Sequence, residues 1–188
     1  MEQIKKYTFG NKFINLEIRF SQTDSTSDEK PENATLPRLY VNNDQVELAL
    51  QIALDAHKGQ VDLDGKPAIL HALAVGLAGE NLTEQCVGYL HDVVEDSNIT
   101  FYDLRERGVA LKIIRALEVL THDKSVPYMD YIRSIEASGN KTALKVKIND
   151  LRHNLLRGTI GGHTKQVKKH TEALDYLLRN EEYILHID

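Results

Sequence analysis

Residues 90–96 read Leu90-His91-Asp92-Val93-Val94-Glu95-Asp96, and this stretch ends the third predicted helix in a cluster of carboxylates. The helix dipole disfavours negative charge at a C-terminus, so Asp92, Glu95 and Asp96 need a positive partner. His91 and Glu95 are four residues apart, as are Asp92 and Asp96, which places each pair on one side of a helix. A divalent metal is the natural partner. The alternative interpretation is a solvated acidic helix end beside a histidine.

Two residues elsewhere can complete a metal site with His91 and Asp92. His71 lies on the preceding predicted helix among apolar neighbours, where the alternative role is a core histidine. Asp150 lies in the middle of a later helix, a position that disfavours aspartate, and its alternative role is a surface ion pair. Two imidazoles and two carboxylates form a mixed nitrogen and oxygen ligand set. Such a set suits Mn²⁺, Fe²⁺ or Zn²⁺ and leaves positions open for water and substrate.

Other polar residues near these candidates can take part in catalysis. A metal of this kind lowers the pKa of bound water and neutralises phosphate charge. Glu95 and Asp96 follow the ligands by one helical turn, so they can accept a proton from that water or give one to a leaving group. Lys147, Asp150 and Asn154 follow one another at steps of three and four residues, which predicts one polar stripe on a helix.

The sequence from Asn42 onward has the periodicity of helices, with apolar residues at three- and four-residue steps. Thr100 and Asp103 form a capping-box-like start for one of them. Eight helices are predicted, at residues 44–58, 67–79, 84–96, a short one from 100, then 110–121, 125–139, 141–156 and 164–179. This pattern predicts an all-α helical bundle, which we assign to residues 38–188.

The N-terminal part of the chain has a different pattern. Ile14, Leu16, Ile18 and Phe20 alternate with polar residues, which is the period of a β-strand. We therefore expect a small β-hairpin within residues 1–20. Residues 21–37 are rich in Ser, Thr and charged residues and predict a polar linker.

Composition excludes several classes of protein. The 188 residues include 23 basic and 28 acidic ones, for a net charge of −5, which argues against a general nucleic-acid binder. No apolar run approaches the roughly 18 residues of a membrane span, and the start of the chain lacks the apolar stretch of a signal peptide. The single cysteine, Cys86, excludes an intramolecular disulfide. We expect a cytoplasmic protein and leave self-association as a homo-oligomer open.

The order of these residues resembles the signature of the HD metal-dependent phosphohydrolases, in which a histidine, a His-Asp pair and an aspartate follow one another. Three segments are similar to the hydrolase domain of the Rel/Spo branch: residues 65–71 to its "GxPYIxHP", residues 90–100 to its "LHDVVEDT", and residues 146–155 to its "VKLADRLHNM". Residues 56–60 are also similar to the end of that domain's first helix. The resemblance covers about residues 44–178, and in length the chain is similar to the small stand-alone hydrolases called metazoan SpoT homologues.

The resemblance implies roles for individual residues. His71, His91, Asp92 and Asp150 would bind Mn²⁺, and Glu95 and Asp96 would be the catalytic pair that activates the attacking water. Asn154 would contact the substrate and Lys147 a phosphate, although a lysine extending along the surface fits Lys147 equally well. The implied reaction is hydrolysis of (p)ppGpp to GDP or GTP and pyrophosphate at the ribose 3′ position.

One segment departs from the family pattern. Members that act on (p)ppGpp carry an Arg-Lys pair before the "GxP" glycine, and its arginine stacks on guanine, whereas Asp62 and Leu63 fall at those positions here. An aspartate cannot stack as a cation and repels polyphosphate. The same metal chemistry on another nucleotide or phosphorylated metabolite is therefore a second hypothesis. A non-catalytic nucleotide-binding regulatory domain is the third, although every expected ligand and catalytic carboxylate is present.

Overall fold

The computed structural model describes residues 41–184, and the side chains of residues 41–179. This part of the chain contains nine α-helices and no β-strand, which confirms the predicted all-α bundle. The helices are α1 (Asn43–Ala56), α2 (Ile69–Leu77), α3 (Leu82–Leu90), α4 (Val93–Asp96), α5 (Phe101–Glu106), α6 (Leu111–Leu120), α7 (Tyr128–Ala137), α8 (Lys141–Ile160) and α9 (Thr164–Ile184). The expected hairpin at residues 1–20 and linker at residues 21–37 lie outside the described residues and stay predictions.

Polar caps fix where several helices begin. The side chains of Asn42, Asn81 and Asn140 accept hydrogen bonds from backbone N–H groups in the first turns of α1, α3 and α8. Thr100 and Asp103 form the predicted capping box at the start of α5. Because the first N–H groups of a helix have no partner within it, such caps define the helix start in the sequence.

The core of the bundle is built around α3. Its residues Cys86, Val87 and Leu90 are completely buried, and the helix packs against α1, α2, α6 and α8. Burial of this kind contributes to the free energy of folding about 25 cal/mol for each Å² of apolar surface removed from water. The residues that follow α3 are therefore held rigidly at the centre of the bundle.

Two glycines let α2 and α3 approach closely. A Cβ atom added to Gly88 of α3 would lie 2.6 Å from the Cα atom of Gly76 on α2, so no larger residue fits without moving a backbone. This close packing holds the start of α2 and the end of α3 next to each other, and those are the positions of the two predicted histidine ligands.

The structure corrects several predicted helix boundaries, and two of these corrections concern helices that carry site residues. The predicted helix 84–96 is interrupted at His91 and Asp92, so its last turn is the separate short helix α4. The helix predicted at 141–156 continues to Ile160 as α8. No helix in residues 41–184 is both long and apolar enough to cross a membrane.

Candidate metal centre and its pocket

Two buried histidines face each other inside the bundle. His71 on α2 and His91 directly after α3 bring their Nε2 atoms to 3.2 Å from each other. The Nδ1 atom of His91 lies 2.7 Å from the carbonyl oxygen of Gly88. Because a carbonyl can only accept, Nδ1 of His91 carries a proton, so Nε2 is the nitrogen that a metal can bind once it replaces any proton there.

Two carboxylates reach the same point. Asp92 Oδ2 lies 3.1 Å from Nε2 of His91 and 3.6 Å from Nε2 of His71. Asp150 Oδ1, from α8, lies 3.0 Å from Nε2 of His71 and 3.7 Å from Nε2 of His91. The ligand atoms of His71, His91 and Asp92 all lie within 4.8 Å of one another. The structure thus brings together the four residues that the sequence predicts as metal ligands.

The charges of this cluster fit a divalent cation. Burial alone would lower the pKa of His91, but the neighbouring Asp92 and Asp150 outweigh burial and raise it well above its usual value. Burial likewise disfavours the charged form of Asp150, yet Lys147 and the two histidines hold its pKa well below the usual range. The carboxylates therefore stay negative beside two imidazole nitrogens. That donor set accepts Mn²⁺, Fe²⁺ or Zn²⁺.

Asp150 is held by the polar stripe predicted on α8. Lys147 Nζ donates to Asp150 Oδ2 over 2.8 Å, and Asn154 Nδ2 donates to Oδ1 over 2.6 Å. Lys147 also lies 5.2 Å above the centre of the Tyr131 ring. Both polar neighbours therefore orient the carboxylate. Their predicted contacts with a substrate stay predictions.

The break after α3 changes the position of the two predicted catalytic carboxylates. Glu95 and Asp96 lie in the first turn of α4. The prediction of one continuous helix is therefore wrong, but α4 is a single turn that ends at Asp96, so this carboxylate still lies at a helix C-terminus. The positive partner that the argument called for is still required, since both carboxylates are close to Asp92.

The environment of Glu95 and Asp96 suits proton transfer. Burial raises the pKa of Glu95, and the charge of Asp92 adds to this effect, although Glu95 Oε1 accepts a hydrogen bond of 2.8 Å from the backbone N–H of His122. Burial and then Asp92 also raise the pKa of Asp96. A carboxyl group whose pKa moves towards neutrality is a better general acid or base at neutral pH.

A cavity of about 800 Å³ joins the histidine–aspartate cluster to these carboxylates. Several residues that line it are not among the site residues predicted from the sequence: His122, Tyr128, Tyr131, Lys169 and His170. Lys169 Nζ lies 4.3 Å above the Tyr128 ring. Together with Lys147, this side of the cavity carries positive charge and aromatic rings. The sequence gives only a weak signal that these residues line the cavity, because they lie on α7, on α9 and in the loop before α7, outside the motifs that carry the predicted ligands.

His153 is a further neighbour of the cluster that the sequence analysis missed. Its Nδ1 lies 2.7 Å from Nδ1 of His71, so one of the two nitrogens must carry a proton. Burial, with the neighbouring His71 and Arg157 adding, lowers the pKa of His153 to about 4, so its ring is neutral at pH 7 and can accept this bond. His153 follows Asp150 by three residues on α8, which is the spacing that could have indicated it.

The two residues that depart from the family pattern lie in the loop between α1 and α2, at the cavity. Asp62 and Leu63 both line it. The Asp62 carboxylate, however, accepts hydrogen bonds from the backbone N–H groups of Asp64 and Lys66 at 2.9 and 2.8 Å. Burial opposes its charge, but these bonds and Arg157 lower its pKa. One oxygen of this carboxylate is therefore hydrogen-bonded inside the loop and the group stays charged, while Leu63 is 71% exposed.

Comparisons with known proteins confirm the resemblance. No family model matches the chain. The chain is 28% identical over 160 residues to the GTP pyrophosphokinase of Streptomyces coelicolor, covering 79% of this chain and 18% of that protein. It is 27% identical over 129 residues to the bifunctional (p)ppGpp synthase/hydrolase SpoT of Escherichia coli K12, covering 65% and 18%. A putative chloroplastic GTP diphosphokinase of Arabidopsis thaliana is 31% identical over 135 residues, covering 69% and 14%.

The chain therefore spans less than a fifth of the length of the curated relatives it matches. A solved structure has a similar fold over almost its whole length. It is that of a metazoan ortholog of SpoT, which hydrolyses ppGpp and plays a role in starvation responses. The match has a TM-score of 0.56 at 22% identity and covers 79% of this chain and 98% of the other. The chain thus has the fold of an HD-domain bundle and resembles the Rel/Spo proteins.

Proposed function

We propose that this chain is a metal-dependent phosphohydrolase that hydrolyses (p)ppGpp to GDP or GTP and pyrophosphate at the ribose 3′ position. The observation that carries the proposal is the convergence of two imidazole Nε2 atoms and two carboxylates at the base of a cavity that Glu95 and Asp96 also line. The resemblance to (p)ppGpp synthases and hydrolases supports the choice of substrate.

In this proposal His71, His91, Asp92 and Asp150 hold one divalent ion, Mn²⁺ by the resemblance, with Fe²⁺ or Zn²⁺ as alternatives. When bound, the ion lowers the pKa of a coordinated water and neutralises phosphate charge. His153 and the Gly88 carbonyl hold the rings of His71 and His91 in the tautomers that keep Nε2 free.

The two carboxyl groups of α4 carry the protons. Glu95 takes a proton from the water that attacks the phosphorus atom, and the bond between phosphorus and the ribose 3′ oxygen breaks. Asp96, whose pKa is raised by burial and by Asp92, gives a proton to the departing oxygen. Each proton taken from water is thereby matched by one returned to the alcohol product.

The remaining cavity residues fit a substrate with several phosphate groups. Lys169 lines the cavity with Lys147, so a chain of phosphates meets positive charge there. His170 also lines it, but burial lowers the pKa of this imidazole to about 4, so the ring is neutral at pH 7 and serves as a hydrogen-bonding group. Asn154 hydrogen-bonds Asp150 and lines the same cavity, where it can also contact the substrate.

A second candidate is the same reaction on another nucleotide or phosphorylated metabolite. The observation that favours it is the loop at the cavity, where Asp62 and Leu63 replace a pair of basic residues. The third hypothesis, a non-catalytic nucleotide-binding domain, is less well supported, because His71, Asp92 and Asp150 line one cavity with both predicted catalytic carboxylates, and His91 contacts these three residues from the buried side.

A substrate panel tests the proposal. The purified chain with added Mn²⁺ is incubated with ppGpp, pppGpp and a series of other nucleotides and sugar phosphates, and the products are separated by ion-exchange chromatography. Pyrophosphate and GDP from ppGpp, abolished by chelation of the metal, are the expected result. Cleavage of other compounds but not of ppGpp would select the second candidate, and no metal-dependent cleavage of any compound would contradict the enzymatic proposal.

A cytoplasmic location stays a prediction, and self-association as a homo-oligomer stays open. Analytical ultracentrifugation of the full chain measures its oligomeric state. Fractionation of cells that express the chain tests where it resides.

A further inference from the structure

Arg157 is a cavity residue that the proposed reaction leaves without a role. It lies on α8, where Asp150, Asn154 and Arg157 follow one another at steps of four and three residues and therefore share one face. The seven residues from Asp150 to Arg157 correspond to roughly 10 Å along a helix. Arg157 thus lines the same cavity as the metal cluster, about that far along the helix axis from the Asp150 carboxylate.

The guanidinium of Arg157 has donors that the described residues do not use. Its Nε is buried and has no hydrogen-bond partner in the part of the chain that the structure describes. The nearest carboxylate oxygen, Asp62 Oδ2, is 3.8 Å from one terminal nitrogen, which is longer than a hydrogen bond. An arginine offers five donors in a rigid planar fork. The buried Nε is out of reach of a ligand in the cavity, so a ligand would accept hydrogen bonds from the two terminal nitrogens of the fork.

The surroundings of Arg157 indicate a neutral ligand. The Asp62 carboxylate is 9% exposed and stays charged, so it would repel a phosphate bound at the same guanidinium. Val61 and Leu63 on the same loop are 64% and 71% exposed and line the cavity, which adds an apolar edge. A flat group with acceptor atoms on its edge suits such a site, whereas Lys147 and Lys169 supply the charge that phosphates need.

We propose that Arg157 reads the edge of a nucleobase and favours a purine with two adjacent acceptors. Guanine presents O6 and N7 as such a pair, and hypoxanthine presents the same two atoms. Adenine replaces the first acceptor with an amino group, which would face a guanidinium donor. The inference rests on the proposed function in so far as the pocket holds a nucleotide, and it names the residue that selects the base.

Binding of three nucleoside diphosphates tests the inference. Isothermal titration of the Mn²⁺-loaded chain is carried out with GDP, IDP and ADP. We expect GDP and IDP to bind about tenfold to a hundredfold more tightly than ADP, the effect of one bidentate base contact. In Arg157→Gln this preference is lost or shifts towards ADP, because a glutamine amide pairs with the N6 and N7 atoms of adenine.

Two further variants keep the test decisive. Arg152→Gln changes an exposed arginine of the same helix outside the cavity and should leave the preference unchanged. Arg157→Lys keeps the positive charge near Asp62 but lacks the fork, so it should fold normally and lose most of the preference even if the glutamine variant is unstable.

The outcomes separate this inference from the proposed function. Equal affinity for the three nucleotides, no change in the Arg157 variants, or no nucleotide binding at all would overturn the role of Arg157. A preference for GDP and IDP without metal-dependent hydrolysis would support Arg157 and contradict the enzymatic proposal. Metal-dependent hydrolysis without any preference for the base would support the enzymatic proposal and contradict the role of Arg157.

Discussion

The ion pair of Lys147 with Asp150 links the stability of the bundle to metal binding. The two groups are 2.8 Å apart, with side chains only 13% and 6% exposed. In Lys147→Met the carboxylate stays buried without its nearest countercharge, and such a loss costs about 3–5 kcal/mol. For a domain of this size, this corresponds to a fall in Tm of roughly 6–20 °C. A bound divalent ion supplies positive charge to the same carboxylate, so saturating Mn²⁺ should recover part of the loss.

Calorimetry with and without Mn²⁺ measures both effects. The rise in Tm that the metal produces should be larger in Lys147→Met than in the wild type. Lys145→Met on the same helix is the matched control, because the pair of Lys145 with Glu80 is 43% and 70% exposed and such pairs contribute at most about 1 kcal/mol. The reasoning is refuted if Lys147→Met is as stable as the control, or if Mn²⁺ shifts both variants equally.

Three further predictions concern single side chains. Asp92→Ala should abolish Mn²⁺ binding in titration calorimetry and turnover together, and a fully active Asp92→Ala protein without metal would end the proposed mechanism. Glu95→Gln can still accept the His122 N–H, so it should keep the fold and the metal but lose about two to four orders of magnitude in kcat; wild-type turnover would reassign the general base. Burial raises the pKa of the Cys86 thiol from 9.0 to about 12, so between these values the unfolded state binds fewer protons and stability falls by up to about 1.4 kcal/mol per pH unit. Urea unfolding between pH 8 and pH 10.5 should show a shallower fall in Cys86→Ala, and equal slopes would exclude this contribution.

The sequence predicts most of the fold because each helix carries local signals. Apolar periodicity and the caps at Asn42, Thr100 and Asn140 indicate helices that the structure contains. The break at His91 and Asp92 is the main exception. No glycine or proline marks it, and both residues there point into a cluster formed with distant helices. Local periodicity cannot report such a tertiary constraint.

The candidate site is predicted where its residues belong to short motifs and missed where they do not. The residues at positions 71, 91, 92 and 150 converge, as their types and order indicate, and Lys147 and Asn154 follow Asp150 by helical spacing. His122, Lys169 and Arg157 reach the cavity from elements whose relative placement is set by packing of the whole bundle. The negative charge that the sequence indicates at Asp62 remains in the structure, where one of its carboxylate oxygens also accepts two hydrogen bonds from its own loop.

The central claim is that His71, His91, Asp92 and Asp150 share one divalent cation. Crystals of the protein soaked in Mn²⁺ and measured near the manganese absorption edge test it directly. The account predicts one strong anomalous peak within coordinating distance of both Nε2 atoms and both carboxylates. A map without density at that point, or with the ion bound elsewhere, would contradict it.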